Sequence, residues 1–315
     1  MTSMATNEKI SLILFLFAVT AIYILEVSFA IVFVLNKLQH SAAENILLSK
    51  PAMLIHFLAV VGIICFLYGH FIEPYWVEIN TIPIQTDKLN RNSFRLVQIS
   101  DLHCGKKPRN EKRMVELINK MQPDIIVFTG DAINTASALP LFKETMRNLK
   151  ARLAKLAVRG NFEIHYWKDL DLFADTGFEP LDSQTVALRK NSDTLCISGL
   201  TCENPAGFKD LLQDVADNHF SVFLYHYPDL VEDLQGLNVD LYLCGHTHGG
   251  QVALPFYGAV ITLSKFGKKY ESGMYNVGRT TLYVNRGVGM DAAPAPKVRF
   301  FARPEIAVFD IEPKK

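Results

Sequence analysis

The 315-residue sequence predicts an α/β domain of two β-sheets with outer helices, preceded by two membrane-spanning helices. Three observations carry this reading. Two long apolar runs open the chain, strand patterns then alternate with helical ones, and the polar residues suited to chemistry fall immediately after strands.

The apolar runs come first. Hydrophobic residues make up 49% of the sequence, and the excess is concentrated before residue 72. Ile10 to Leu35 has Glu26 as its one charged member, and Ala52 to Phe71 has no Asp, Glu, Lys or Arg and holds His56. Roughly 20 apolar residues cross a bilayer core as a helix. A signal peptide would have a shorter apolar region, roughly 7–15 residues, behind a basic start. Glu26 within a span marks a pocket or pairs with His56. Residues 1–72 therefore read as an anchor with spans at about 10–35 and 52–71, residues 73–93 as a polar linker, and 94–315 as the globular domain. Two spans put the N-terminus and the domain on one side. The flanking Lys9, Lys88, Arg91 and Arg95 outnumber Lys37 and Lys50 in the connecting loop, which favours a multi-pass protein of the inner (cell) membrane with a cytoplasmic domain.

Within the domain, Phe94–Ser100 reads as a strand. Met114, Leu117, Ile118 and Met121 follow helical spacing over 110–121. Further strands are expected at 124–129, 155–159, 186–189, 194–199, 220–225 and 239–244, with helices near 139–153 and 208–215. After Val252 short strands alternate with Gly and Pro turns. Lys plus Arg and Asp plus Glu are both 32, and that balance argues against a general nucleic-acid binder. The five cysteines show no metal-ligand spacing; Cys196 and Cys202 are either a pair or buried thiols.

Five segments end strands: Ser100-Asp101-Leu102-His103, Gly130-Asp131, Arg159-Gly160-Asn161, Tyr225-His226 and Cys244-Gly245-His246-Thr247-His248-Gly249-Gly250-Gln251. In α/β sheets, sites gather at the carboxyl ends of strands. Residues two apart on an extended chain point the same way, so Asp101 with His103, and His246 with His248, can each grip one cation. Asp131 can bridge two ions, and Asn161 offers a neutral oxygen. Glycines at 130, 160 and 245 allow sharp turns and close approach. Mixed imidazole and carboxylate donors suit Mn, Fe, Zn or Ni better than Ca or Mg. Arg159 is a phosphate contact by position. Lys106, with Lys107, Arg109 and Arg113, is a weaker one beside the solvated-face alternative. Leu254–Tyr257 with Lys265, Lys268 and Lys269 either touches the bilayer surface or packs inside.

This order of segments resembles the calcineurin-like metallophosphoesterase superfamily over residues 94 to about 310. Gly-His-Thr-His-Gly-Gly-Gln, Lys268-Lys269-Tyr270, Asn285-Arg286-Gly287-Val288-Gly289 and Phe300-Phe301-Ala302-Arg303-Pro304-Glu305 look like its membrane-associated bacterial branch, which includes a UDP-2,3-diacylglucosamine pyrophosphohydrolase of lipid A synthesis. The resemblance implies a four-layer sandwich of two mixed sheets flanked by helices. It implies two divalent ions, manganese foremost: one on Asp101, His103 and His248, the other on Asn161, His226 and His246, with Asp131 bridging. Asp131 and Asn161 would then be catalytic, and Arg286 a further substrate contact. The expected substrate is a phosphate-containing lipid or nucleotide-lipid in the bilayer, not nucleic acid.

One departure is informative. Many relatives carry His after Gly-Asn, where this chain has Phe162 and then Glu163. Phenylalanine transfers no proton, which favours a substrate with a good leaving group such as a pyrophosphate. Glu163 or His165 can stand in for the acid, or Phe162 can pack under the site or bind an apolar substrate. Two rival readings remain: an extracytoplasmic phosphodiesterase of envelope polymers or phospholipids, and a metal-binding membrane scaffold with little catalysis.

Overall fold

A computed structural model describes residues 5–39, 47–291 and 297–314. Two apolar helices lead, α1 (Thr6–Leu38) and α2 (Lys50–Phe71), both long enough to cross a membrane. Ser49 caps α2, and Pro51 sits in its first turn, where a missing N–H costs nothing. His56 and Glu26 pair across the two helices at 2.6 Å, so the lone carboxyl in the first run meets the histidine in the second.

Two six-stranded mixed sheets form the domain. The first has the order β1-β14-β2-β3-β4-β5, with β1 (Glu78–Thr86), β2 (Phe94–Ile99), β3 (Ile125–Phe128), β4 (Ala154–Ala157), β5 (Glu179–Pro180) and β14 (Glu305–Pro313). The second has the order β12-β13-β9-β8-β7-β6, with β6 (Gln184–Lys190), β7 (Asp193–Gly199), β8 (Phe220–Leu224), β9 (Leu241–Cys244), β12 (Gly273–Val277) and β13 (Thr280–Val284). A short hairpin, β10 (Ala253–Leu254) with β11 (Gly258–Ala259), stands apart.

Side-chain alternation explains the layers. Leu96, Ile125 and Val127 of the first sheet meet Ile197, Val222 and Leu243 of the second in a core between the sheets. Their neighbours Val97, Ile126 and Phe128 face outward against Met114 and Ile118 of α3 (Glu111–Met121) and Phe142 and Met146 of α4 (Leu139–Asn148). Across the second sheet, Phe223, Tyr242 and Leu282 pack on Phe208 and Leu212 of the short helix α6 (Phe208–Leu212). Three cores separate four layers, the sandwich that the resemblance implies.

One expectation changes, and the alternative left open for Cys196 and Cys202 is decided in favour of thiols. Glu78–Thr86, read as linker, is a nine-residue strand paired in parallel with β14. Its partner lies more than 200 positions away, beyond any local pattern. The five cysteines are all free.

β2, β3 and β4 run parallel, as do β7, β8 and β9, so their carboxyl ends converge on one edge of the sandwich. Gln98, fully buried between the sheets, donates to Thr129 Oγ1 (3.1 Å) and the Cys244 carbonyl (2.9 Å) and ties the two edges together.

Truncating Met114, fully buried under the first sheet, to Ala is expected to cost about 2–5 kcal/mol. Urea denaturation of the purified protein measures it, and a loss under ~0.5 kcal/mol would show that α3 does not pack as described.

Candidate metal centre

Five strand ends deliver the seven candidate ligands. Asp101 and His103 follow β2, Asp131 follows β3, Asn161 opens helix α5 (Asn161–Tyr166) after β4, His226 follows β8, and His246 and His248 follow β9. Asp101, His103 and His248 place one donor atom each within 4.8 Å of one another, and so do Asp131, His226 and His246. Asp131 lies between the groups, with its Oδ2 3.5 Å from His103 Nε2 and 3.3 Å from His226 Nε2. Asn161 Oδ1 is 3.0 Å from His226 Nε2.

The Asp-x-His and His-x-His pairs depart from the expected extended geometry. Asp101, His103, Asp131, His246 and His248 all have positive φ, between 41° and 69°, so neither pair sits on an extended chain. The left-handed backbone sends His246 to one cluster and His248 to the other. Non-glycine residues in this region cost on the order of 1–3 kcal/mol each and persist only where the surroundings overdetermine them. Those surroundings are hydrogen bonds: Asp101 N–H to the Gly130 carbonyl, His103 N–H to the Asp131 carbonyl and Gly245 N–H to the His226 carbonyl. His246 N–H also donates to the Asp101 carboxylate at 3.2 Å, across the two sheets.

Two glycines are required by contact. At Gly130, φ is +99° and a Cβ would sit 2.6 Å from Gly160 N and 2.7 Å from His226 Nδ1. A Cβ on Gly245 would collide with the Asp101 carboxylate and Ser100 Oγ.

The ring nitrogens show whether these residues fit ions. His226 donates from Nδ1 to the Thr129 carbonyl (2.7 Å). His246 donates from Nε2 to the Leu263 carbonyl (3.2 Å). His103 Nδ1 donates to Asn134 Oδ1 (2.8 Å), whose amide nitrogen is occupied by two carbonyls. In each case one nitrogen donates away from the centre and the other turns inward toward the cluster, the orientation that holds a metal-ligating imidazole. His248 differs, since its Nδ1 faces the donor-only Arg299 guanidinium at 3.4 Å. His103 Nε2 and His248 Nε2 point at each other across 3.2 Å, a geometry that a cation between them would satisfy.

The charges agree. Burial alone would raise the Asp131 carboxyl, yet His226 and His103 beside it hold it below the usual carboxylate range. Burial opposes a charge on His226, but Asp131 outweighs it and raises the imidazole to about 10. Burial lifts Asp101 to about 6, against the pull of His226. Burial together with neighbouring imidazoles lowers His246 to about 3 and drives His248 well down, so both stay neutral.

A pocket of about 160 Å³ opens over the centre, lined by Asp131, Asn161, Phe162 and three of the histidines. The Phe162 ring lies edge-on to His103, 4.6 Å between centroids. Glu163 takes no part: it is buried and accepts from the N–H groups of Gly160, Asp131 and Ala132, which braces the loops. His165, which donates to the Asn161 carbonyl, stands outside the lining.

So do the three basic candidates. Lys106 is exposed. Arg159 adjoins Gly160 but does not reach the pocket wall, and its Nε is buried without a partner. Arg286 is held by Glu305 (3.0 Å) and Glu78 (2.6 Å) in a separate cavity beside Tyr68 and Phe300. Sequence reasoning passed over Gln251, Thr262 and Asp291, which do line the pocket. Gln251 stood in the Gly-Gly-Gln run; Thr262 and Asp291 come from loops without a chemical motif.

A buried double cluster of imidazole and carboxylate donors at the carboxyl edge of a two-sheet sandwich defines a dinuclear metallohydrolase scaffold. Residues 94–250 match the calcineurin-like phosphoesterase family. The metallophosphoesterase YkuE of Bacillus subtilis is 35% identical over 263 residues, covering 78% of this chain and 89% of the relative. A bovine transmembrane protein with a metallophosphoesterase domain is 26% identical, over 82% of this chain and 61% of its own length. Among solved structures, the phosphopantetheinyl hydrolase of Mycobacterium tuberculosis aligns at a TM-score of 0.40 with 12% identity, over 65% of this chain and 94% of its own. The chain belongs to the calcineurin-like phosphoesterase family, and with it to the metal-dependent hydrolases of phosphoesters.

Two predictions follow from the geometry. Gly245→Ala is expected to displace Asp101 and lower bound metal at least tenfold, read by elemental analysis, while the circular dichroism spectrum is retained. Metal binding must expel the His226 proton, so affinity should rise with pH up to about 10. Below about pH 6 Asp101 also takes up a proton, and the fall should steepen. Calorimetric titration with Mn²⁺ at several pH values tests this, and a flat profile would contradict the His226–Asp131 ion pair.

Proposed function

We propose that this protein is a membrane-embedded pyrophosphohydrolase of a nucleotide-linked lipid precursor, with UDP-2,3-diacylglucosamine as its specific candidate. The observation that carries the reading is Phe162, an apolar ring at the pocket wall beside Asn161 where an imidazole would supply a proton. Besides the candidate ligands, the one ionisable side chain among the described residues of the lining is Asp291. General acid help is worth roughly 10²–10⁴ in rate, and an alkoxide leaving group needs it. A nucleoside monophosphate leaves as a stable anion and does not.

In this reading Asp101, His103 and His248 hold one ion, Asn161, His226 and His246 the other, and Asp131 both. Bound there, two divalent ions, manganese foremost with Fe, Zn or Ni as alternatives, would supply Lewis acidity toward a water and the phosphoryl oxygens. The chain's own contribution is to aim the imidazoles through their carbonyl partners and to exclude bulk water with Phe162. α1 and α2 place the domain at the bilayer, and the Lys/Arg distribution supports the cytoplasmic face. The bovine relative's printed name agrees with a membrane setting.

Purified protein with Mn²⁺ is expected to release UMP from UDP-2,3-diacylglucosamine. Turnover of aryl phosphodiesters without attack on the nucleotide lipid removes this substrate and favours the envelope or phospholipid phosphodiesterase, whose orientation a reporter fused after Lys315 would show. No hydrolysis of any phosphoester would leave a scaffold. Phe162→His is expected to raise turnover of an alkyl phosphodiester by up to about 10², the lower range of acid catalysis, and to change UMP release little.

A further inference from the structure

A second cavity adjoins the metal pocket. It measures about 740 Å³, within the roughly 300–1,000 Å³ common for small-ligand sites. One wall is α1, another is α2, and the floor is the stretch from Gly250 to Ile261 together with Val298 and Phe300. Apart from Tyr23, Cys65 and Gln251 the lining is apolar, and the Tyr23 hydroxyl is already committed to the Ala59 carbonyl at 3.1 Å.

Three residues, Gly250, Gln251 and Ile261, line both this cavity and the metal pocket. At that junction the Gln251 amide nitrogen donates to the Asp291 carbonyl, while its Oε1 is buried with no partner. A buried amide oxygen of this kind calls for a donor that the protein does not supply. The metal pocket, at about 160 Å³, is less than a quarter of the size of this cavity and falls below the roughly 300–1,000 Å³ common for small-ligand sites. The remainder of any larger substrate must lie outside it.

Both helices are bonded to this junction. Glu8, 1% exposed near the start of α1, accepts from Thr262 N–H (2.8 Å) and Oγ1 (2.6 Å), and Thr262 is itself a pocket residue. At the end of α2, Gly69 lies so close to the Arg299 carbonyl that a Cβ there would come within 2.9 Å, and the Gly69 carbonyl accepts from Arg299 N–H. The helices are therefore docked on the site rather than tethered to it at a distance.

We infer that the two membrane helices form part of the substrate site: an acyl chain of the phosphate-bearing amphiphile lies in the cavity between α1, α2 and the Gly250–Ile261 floor, while its headgroup donates a hydrogen bond to Gln251 Oε1 and presents phosphorus to the metal pocket. The occupant is hydrocarbon because the walls are hydrocarbon, and it is attached to a phosphate because the cavity ends at the phosphoryl site. This rests on the reading of a lipid-phosphate hydrolase and deepens it, assigning the tail a place that the headgroup alone does not specify.

The test uses full-length protein in nanodiscs with Mn²⁺ and a series of alkyl p-nitrophenyl phosphodiesters from ethyl to dodecyl, which carry no nucleotide. Leu16→Trp fills the cavity from α1; Val34→Trp places the same indole on α1 outside the lining. Partition into the bilayer affects every variant alike, so the readout is the ratio of wild-type to variant kcat/KM along the series. For Leu16→Trp that ratio is expected to grow at least tenfold from ethyl to dodecyl, and for Val34→Trp to stay flat. A flat ratio for Leu16→Trp, or equal growth for both variants, overturns the tail site, the second outcome marking nonspecific disturbance of lipid around α1. If the nucleotide lipid is not hydrolysed yet the ratio grows, the headgroup assignment fails and the tail site stands. If it is hydrolysed while the ratio is flat, the tail site alone falls.

Discussion

Seven polar side chains are pressed together at the edge where two sheets meet, and the packing around them is what makes that tolerable. Five of the seven sit in left-handed backbone, which only glycine adopts freely. Their strain is held by hydrogen bonds that run from loop to loop and from sheet to sheet, such as His103 N–H to the Asp131 carbonyl and His246 N–H to Asp101. Glu163 spends its whole carboxylate on three N–H groups of the Gly130 and Gly160 loops. Without the sandwich behind them, none of these loops would keep its shape.

The same brace reaches the first helix of the chain. Glu8 is bound to Thr262, and Leu263 next to it supplies the carbonyl that orients His246. Glu73, just past α2, accepts from Ala302 N–H, and Arg299 nearby faces His248. Each of the two long apolar helices is thus a few bonds from a candidate metal ligand. Each has, at the end nearer the domain, a buried carboxylate bonded to it.

Much of this was legible locally. The two apolar runs, the strand ends and every candidate ligand could be read from residue type and order, because a buried parallel strand followed by Gly, Asp, Asn or His is a compact local signal. The reasoning attached to them was less secure. Period-2 geometry explained Asp101 with His103 and His246 with His248, but the chain turns left-handed there and parts the second pair. β1 was missed because its half-buried alternation reads as linker until β14 is beside it. Arg159, Lys106 and Arg286 were chosen for charge and closeness in sequence, and neither quantity reports where a long side chain finds its partner.

The amino-acid order by itself determined the donor chemistry, the α/β layering and the presence of two helices able to cross a membrane, since these depend on residue type and short-range periodicity. The division of the donors was implied by the family resemblance, while only the tertiary structure decided which imidazole nitrogen turns inward and that α1 and α2 wall a cavity adjoining the metal pocket. Those outcomes depend on contacts between segments as far apart as Glu8 and Thr262, which no short-range pattern of residues encodes.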